Sequence, residues 1–195
     1  PGENTPENVQ VIIDEAGHLT GMVNDLLDIS KLQAGVTQLN KAHFNLTKNL
    51  QAAVQRIGRM ASANEFTIEL ICDHDEEVFV DADEFKIYQV VYNLINNALN
   101  YSGDSRHVIV RQECIGDTVK VSVQDFGPGI AKENLPLVWE RYYKVDKEHR
   151  RSFNGSGLGL AIVRKILELH NAQYGVDSTL GQGSTFWFCL KVSDE

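Results

Sequence analysis

The stretch that most constrains the fold is 107–125. Two runs, His107–Ile115 and Thr118–Asp125, flank Gly116-Asp117, and a Gly-Asp pair between such runs specifies a two-residue β-hairpin turn. In the second run Val119, Val121 and Val123 alternate with Lys120, Ser122 and Gln124. One face of the hairpin is therefore buried. A lone hairpin is at best marginally stable in water, so other elements must cover that face. Helical patterns over 48–62, 83–101 and 158–170 supply the cover, with Thr47 expected to cap the first. Further strands are expected at 43–46, 66–71 and 78–80, the last two around an acidic turn at 73–77. A closing hairpin is expected over 173–178 and 184–192. The segment 126–156 reads mostly as loop, with a short helix near 135–141. The sum is an α+β two-layer sandwich with a mixed, largely antiparallel sheet and helices on one face.

Upstream lies a different pattern. After a breaker-rich lead (PGENTP), a long amphipathic helix is expected from about residue 7 to 34. Val9, Ile12, Ala16, Leu19, Val23 and Leu26 follow a 3–4 spacing, Met22 and Ile29 widen the stripe, and Gly35 suits a helix stop. One helix cannot bury its own stripe, so a second helix, from this chain or another copy, must pack there. The expected division is 1–36 for this helical part and 37–195 for the sandwich.

The net charge of −9 argues against nucleic acid as a partner, since phosphate backbones attract basic surfaces. Cys72, Cys114 and Cys189 are scattered, odd in number and without metal-ligand spacing. They read as buried free thiols in a reducing, cytoplasmic setting. No apolar run approaches the roughly 20 residues of a membrane span. The chain begins with Pro1, so it is read as a piece of a longer protein whose anchor or sensor would lie elsewhere.

Three features carry chemistry. On the 83–101 helix Ile87, Val91, Leu94 and Ala98 form the core stripe, while Asn93 and Asn97 share another face, with Asn100 and Tyr101 a turn further on. Asparagine is a poor helix former, and four of them (93, 96, 97, 100) occur within eight residues. A solvated face explains any one of them. The pair at 93 and 97 suits a hard neutral site for Mg²⁺. Next, Asp125-Phe-Gly127-Pro-Gly129-Ile130 ends the strong strand in a glycine turn. A carboxylate there can accept from the exocyclic amine of adenine and repel the carbonyl of guanine; a plain strand exit is the simpler reading of that stretch alone. Last, Gly155-Ser156-Gly157-Leu158-Gly159-Leu160 runs into a helix, and glycine backbone at a helix N-terminus makes an anion site. It is neither a P-loop nor the dinucleotide fingerprint. Between these boxes Arg141, Lys144, Lys147, Arg150 and Arg151 form either a cationic lid or a solvated loop. Gly181-Gln-Gly183-Ser-Thr185 reads first as a hairpin turn.

In order and spacing these boxes resemble those of histidine kinases. Asn93–Tyr101 resembles the N box and Asp125–Ile130 the G1 box. Leu137-Val-Trp-Glu-Arg141-Tyr-Tyr143-Lys144 resembles the F box, Gly155–Val163 the G2 box, and Gly181–Phe186 the last glycine box. The chain is thereby identified as a member of the Bergerat-fold ATPases, shared by histidine kinases, gyrase, Hsp90 and MutL. Residues 19–35 resemble the second helix of the kinase dimerisation hairpin. The resemblance implies a cofactor, ATP with Mg²⁺. Asp125 would hold adenine, Asn97 the metal, and Asn93 would sit near metal and phosphates, Asn93 and Asn97 being the catalytic pair. Asn100, Tyr101, Gly127, Gly129, Ile130, Tyr143, Lys144, Gly155, Ser156, Gly157, Leu158, Gly159, Leu160 and Thr185 would complete the nucleotide site, under a lid at 140–156. It implies phosphoryl transfer to a histidine, then to the receiver domain of a response regulator, in a homodimer. None of His18, His43, His74, His107, His149 or His170 has the phosphoacceptor context, so this chain alone is not expected to autophosphorylate. Trp139 stands where such kinases carry Phe, and Asn100 where they carry Lys or Arg. Two rival readings are a gyrase- or Hsp90-like hydrolase and a non-catalytic nucleotide-sensing dimerisation module. The hydrolase needs a glutamate at 93, and Asn cannot act as that base.

Overall fold

The computed structural model describes residues 16, 19–27, 29–31, 38–74, 76–143 and 157–193. Strand β1 (Ala42–Asn45), helix α1 (Leu46–Ala61), strands β2 (Thr67–Cys72) and β3 (Phe79–Ala82) and helix α2 (Glu84–Tyr101) come first. The hairpin β4 (His107–Ile115) and β5 (Thr118–Asp125), helix α3 (Gly159–His170) and the hairpin β6 (Gln173–Ser178) and β7 (Ser184–Lys191) follow. The main sheet runs β2-β4-β5-β7-β6. Only the β2–β4 pair is parallel, and a parallel neighbour needs a crossover connection, here made by β3 and α2. β1 and β3 form a separate antiparallel ribbon. It touches the main sheet's chain through the bridge Val80–Val192.

The core lies between the sheet and the three helices. Val119, Val121 and Val123 of β5 and Phe186 and Phe188 of β7 face Ile87, Val91 and Leu94 of α2, all essentially buried. The two-layer α+β expectation holds.

Several local expectations are corrected. Asn45, not Thr47, caps α1: its Oδ1 accepts the Lys48 N–H at 2.9 Å. Thr47 is the buried second residue of the helix, where its hydroxyl accepts the Val78 N–H and donates to Gln112 Oε1. No α-helix forms over 135–141. A 3₁₀ turn at Lys132–Asn134 is followed by turns, whose bonds mostly reach back three residues (Leu137 to Asn134, Glu140 to Leu137), with Val138 to Asn134 a single four-residue bond that is not continued. The three cysteines are free but half-buried rather than buried.

The described residues 16, 19–27 and 29–31 of the N-terminal segment are helical; the rest of the expected helix, with Val9, Ile12 and Gly35, lies outside the described residues. Ile29 is buried against the domain, while Leu19, Val23 and Leu26 are exposed. Among the described residues no helix is long and apolar enough to cross a membrane.

Asp83 ties three elements together. Its carboxylate caps α2 by accepting the Lys86 N–H and also accepts the Asn40 N–H of the connector. Its own N–H donates to His170 Nε2 at 3.1 Å, while the other ring nitrogen of His170 bonds the Ile166 carbonyl. The ring is thus held as the neutral Nδ1–H tautomer, and burial lowers its pKa below 6.5, with Lys41 adding to and Asp83 opposing that shift. A depressed folded-state pKa contributes stability that is complete above about pH 6.5 and is lost as pH falls toward the folded value. Urea melts of wild type and His170→Gln at pH 7.5 and pH 5 should show the wild-type advantage shrinking on acidification; a pH-independent difference would contradict the assignment.

Candidate nucleotide-binding site

Strand parity decides which groups meet. On β5 the buried series Val119, Val121, Val123 continues to Asp125, so the carboxylate points to the helix-covered face and is 2% exposed. Its Oδ1 accepts the Gly127 N–H at 2.9 Å, and a second backbone bond comes from Ser184, its partner on β7. Burial is the larger effect. It pushes the pKa up to about 6, against the pull of the two N–H groups.

The turn after Asp125 folds tightly against α2 and the β6–β7 turn. A Cβ at Gly127 would lie 1.7 Å from the Tyr101 carbonyl oxygen, and one at Gly129, where φ is +71°, would lie 2.1 Å from that of Thr179. Neither position accepts a side chain. The Gly181 N–H donates to the Pro128 carbonyl at 2.7 Å, which locks the two loops together.

On α2, burial of Ile87, Val91, Leu94 and Ala98 fixes the rotation of the helix and leaves Asn93, Asn97 and Asn100 half-buried on an adjoining face. The start of α3 meets that face: a Cβ at Gly159 would sit 3.5 Å from Asn93 Oδ1. The N-cap residue of α3, Leu158, contributes no side-chain cap, and a helix start led by glycine has the character of an anion site.

These walls enclose one cavity of about 930 Å³, a size suited to a small-molecule ligand. Asn93, Asn97, Asn100, Tyr101 and Asp125 line it, as do Gly129, Ile130, Tyr143, Gly157, Gly159 and Leu160. Gly127 and Leu158 stand behind this lining: one holds Asp125, the other is buried where α3 begins. Lys144, Gly155 and Ser156 lie outside the described residues, as do Lys147, Arg150 and Arg151. Thr185 does not line the cavity; Ser184 does. Along β7, Ser184, Phe186, Phe188 and Leu190 form the buried series, so Thr185 points to the opposite face. That parity was legible in the spacing of Phe186, Phe188 and Leu190. The lining also includes Asn96, Asn134 and Leu180, and Gly21, Met22 and Asp25 of the N-terminal helix, which no local pattern indicated.

Fold and cavity define an α+β ligand-binding domain with its pocket between an asparagine-bearing helix and two glycine loops. The chain belongs to the histidine kinase-, DNA gyrase B- and HSP90-like ATPase family, whose model matches residues 82–194. The sensor histidine kinase WalK of Bacillus subtilis is 33% identical over 97% of the chain, which spans 31% of that protein. The circadian input-output histidine kinase CikA of Synechococcus elongatus is 31% identical over 94% of the chain, which spans 24% of its length. Among solved structures, full-length ShkA in complex with AMPPNP superposes with a TM-score of 0.83 at 25% identity, covering all of this chain and 40% of that one. The chain therefore spans between about a quarter and two fifths of the length of these proteins.

Keeping Asp125 charged in the unliganded fold costs on the order of 3 kcal/mol at neutral pH, at about 1.4 kcal/mol per unit between 3.8 and about 6. Because the folded pKa is raised, this cost is fully present above about pH 6 and disappears as pH falls through it. Unliganded Asp125→Asn should accordingly melt at least as high as wild type at pH 7.5 and lose that advantage at pH 4.5. A variant clearly less stable at pH 7.5 would contradict the burial account.

Proposed function

We propose that the chain binds Mg²⁺-ATP in this cavity and acts as the phosphoryl-donating part of a two-component sensor histidine kinase. One observation carries the reading: Asp125, Asn97 and the glycine-led start of α3 (Gly157, Gly159) line the same cavity.

Asp125 accepts from the exocyclic amine of adenine; a guanine carbonyl at that position would meet the carboxylate as a second acceptor. Ser184 rather than Thr185 stands beside it. Tyr101, Ile130, Tyr143 and Leu160 form the less polar walls. Gly157 and Gly159 bring α3 amides to the phosphates; the expected contributions of Lys144, Gly155 and Ser156 lie outside the described residues. Asn97, with Asn93 next to it, holds Mg²⁺. Among the described residues no cluster of three His, Cys, Asp or Glu could hold a metal. A neutral amide suits a cation that brings its anionic oxygens with it on the triphosphate. Bound Mg²⁺ would neutralise charge on the phosphates; the chain's own residues orient the nucleotide and exclude water, which is most of what phosphoryl transfer asks of a protein.

The acceptor is a histidine on a helix that pairs with residues 1–36, and the next acceptor is a response regulator. The exposed Leu19, Val23 and Leu26 stripe supports pairing in a homodimer. The matched WalK proteins are named as sensor kinases, and a neighbour in fold, histidine kinase ThkA, is solved in complex with the response regulator protein TrrA. A cytoplasmic position for this part follows from the same reading.

Calorimetric titration with Mg²⁺ and a non-hydrolysable ATP analogue tests the site. Asp125→Ala should lose more than about tenfold in affinity, as expected for a charged hydrogen bond, with unchanged circular dichroism. Asn97→Ala should lose the part of the affinity that depends on Mg²⁺. Added hairpin fragment carrying an acceptor histidine should gain acid-labile phosphate from ATP. Wild-type affinity in Asp125→Ala would refute the reading.

A further inference from the structure

We infer that Asn134 is a positioning residue that couples the two ends of the nucleotide cavity by holding the Tyr143 hydroxyl; the inference rests on the nucleotide reading above. The Tyr143 Oη donates to Asn134 Oδ1 at 2.9 Å, and both residues line the cavity. Asn134 is itself fixed. Its N–H donates to the Ala131 carbonyl, and its own carbonyl accepts from Leu137 and Val138. The 3₁₀ turn that carries it starts beside Ile130, whose N–H is held by the Ser178 hydroxyl at 2.8 Å. That hydroxyl in turn donates to the Gly183 carbonyl, next to Ser184 and Asp125.

On the other side, Tyr142 adopts a left-handed φ of +58° and its N–H donates to the Gly157 carbonyl at 2.9 Å. Gly157 leads into α3, where Gly159 abuts Asn93. A continuous set of bonds thus runs from the Asp125 loop through Ser178, Ile130 and the turn to Asn134, then through Tyr143 and Tyr142 to the start of α3. Among the described residues the side-chain link in the middle is the Asn134–Tyr143 bond. Removing it leaves the Tyr143 ring held only by its packing against the core, and each end of the pocket then has to be ordered separately by the ligand.

The test is a double-mutant cycle on the whole chain: wild type, Tyr143→Phe, Asn134→Ala and the double variant. Affinity for AMPPNP with Mg²⁺ is measured by calorimetry and the melting midpoint without ligand alongside. Tyr143→Phe keeps the ring and removes only the hydroxyl, so it folds even if Asn134→Ala is impaired. Each single change should weaken affinity about three- to tenfold, the range of one hydrogen bond. The double variant should be no weaker than the poorer single one. The unliganded Tyr143→Phe midpoint should stay within a few degrees of wild type. Unchanged affinity in Tyr143→Phe, or fully additive losses, would overturn the coupling. A wild-type chain that binds no AMPPNP would sink the nucleotide reading and this inference together, whereas normal binding in wild type with unaffected variants sinks the coupling alone.

Discussion

The Asp125 carboxylate sits where folding alone would not put a charge. It ends a row of buried valines, it is held by two backbone N–H groups, and removal from water raises its pKa to about 6. Several neighbouring features exist to hold that group in place. Gly127 and Gly129 permit the backbone to turn under α2 and against Thr179, and Ser184 supplies the cross-strand amide. Such strain against stability is expected where a fold is shaped for a ligand rather than for itself. A ligand donor facing the carboxylate restores part of what burial costs.

The rest of the cavity follows from how α2 is oriented. Its apolar stripe locks onto the sheet, and the asparagines one face round are then presented to the mouth of α3. Neutral amides beside a glycine-led helix start suit a ligand that is itself highly negative and carries a metal. Carboxylates in those positions would repel a triphosphate. The chain's net charge of −9 is therefore no obstacle, since the pocket uses backbone donors and amides instead of its global charge.

Much of this was legible in the sequence, for identifiable reasons. The Gly116-Asp117 hairpin appears in the register expected, Val119 opposite Cys114 and Asp125 opposite Val108, because turn chemistry and alternation agree there. Asp125, Asn93 and Asn97, singled out because strong local patterns frame them, line one cavity. Ser184 rather than Thr185 lines the cavity, and the glycine turn obscures where the strand's alternation begins; counting back from Phe186 gives Ser184. Asn45 lost to Thr47 as the expected cap because β1 runs straight into α1 without a break, so no loop residue marks the boundary. Asn134 could not be found: its role depends on Tyr143, nine residues away across a proline-bearing turn, and no periodicity links them. The approach of Met22 to the cavity is likewise a tertiary fact with no local signature.

The central claim, that one pocket reads adenine with Asp125 and holds magnesium with Asn97, is tested most directly by a crystal structure of the chain with AMPPNP and Mg²⁺. The account predicts the exocyclic amine of the purine within hydrogen-bond distance of the Asp125 carboxylate, the metal on Asn97 Oδ1, and the phosphates at the start of α3. A nucleotide bound elsewhere, or a purine turned away from Asp125, would contradict it.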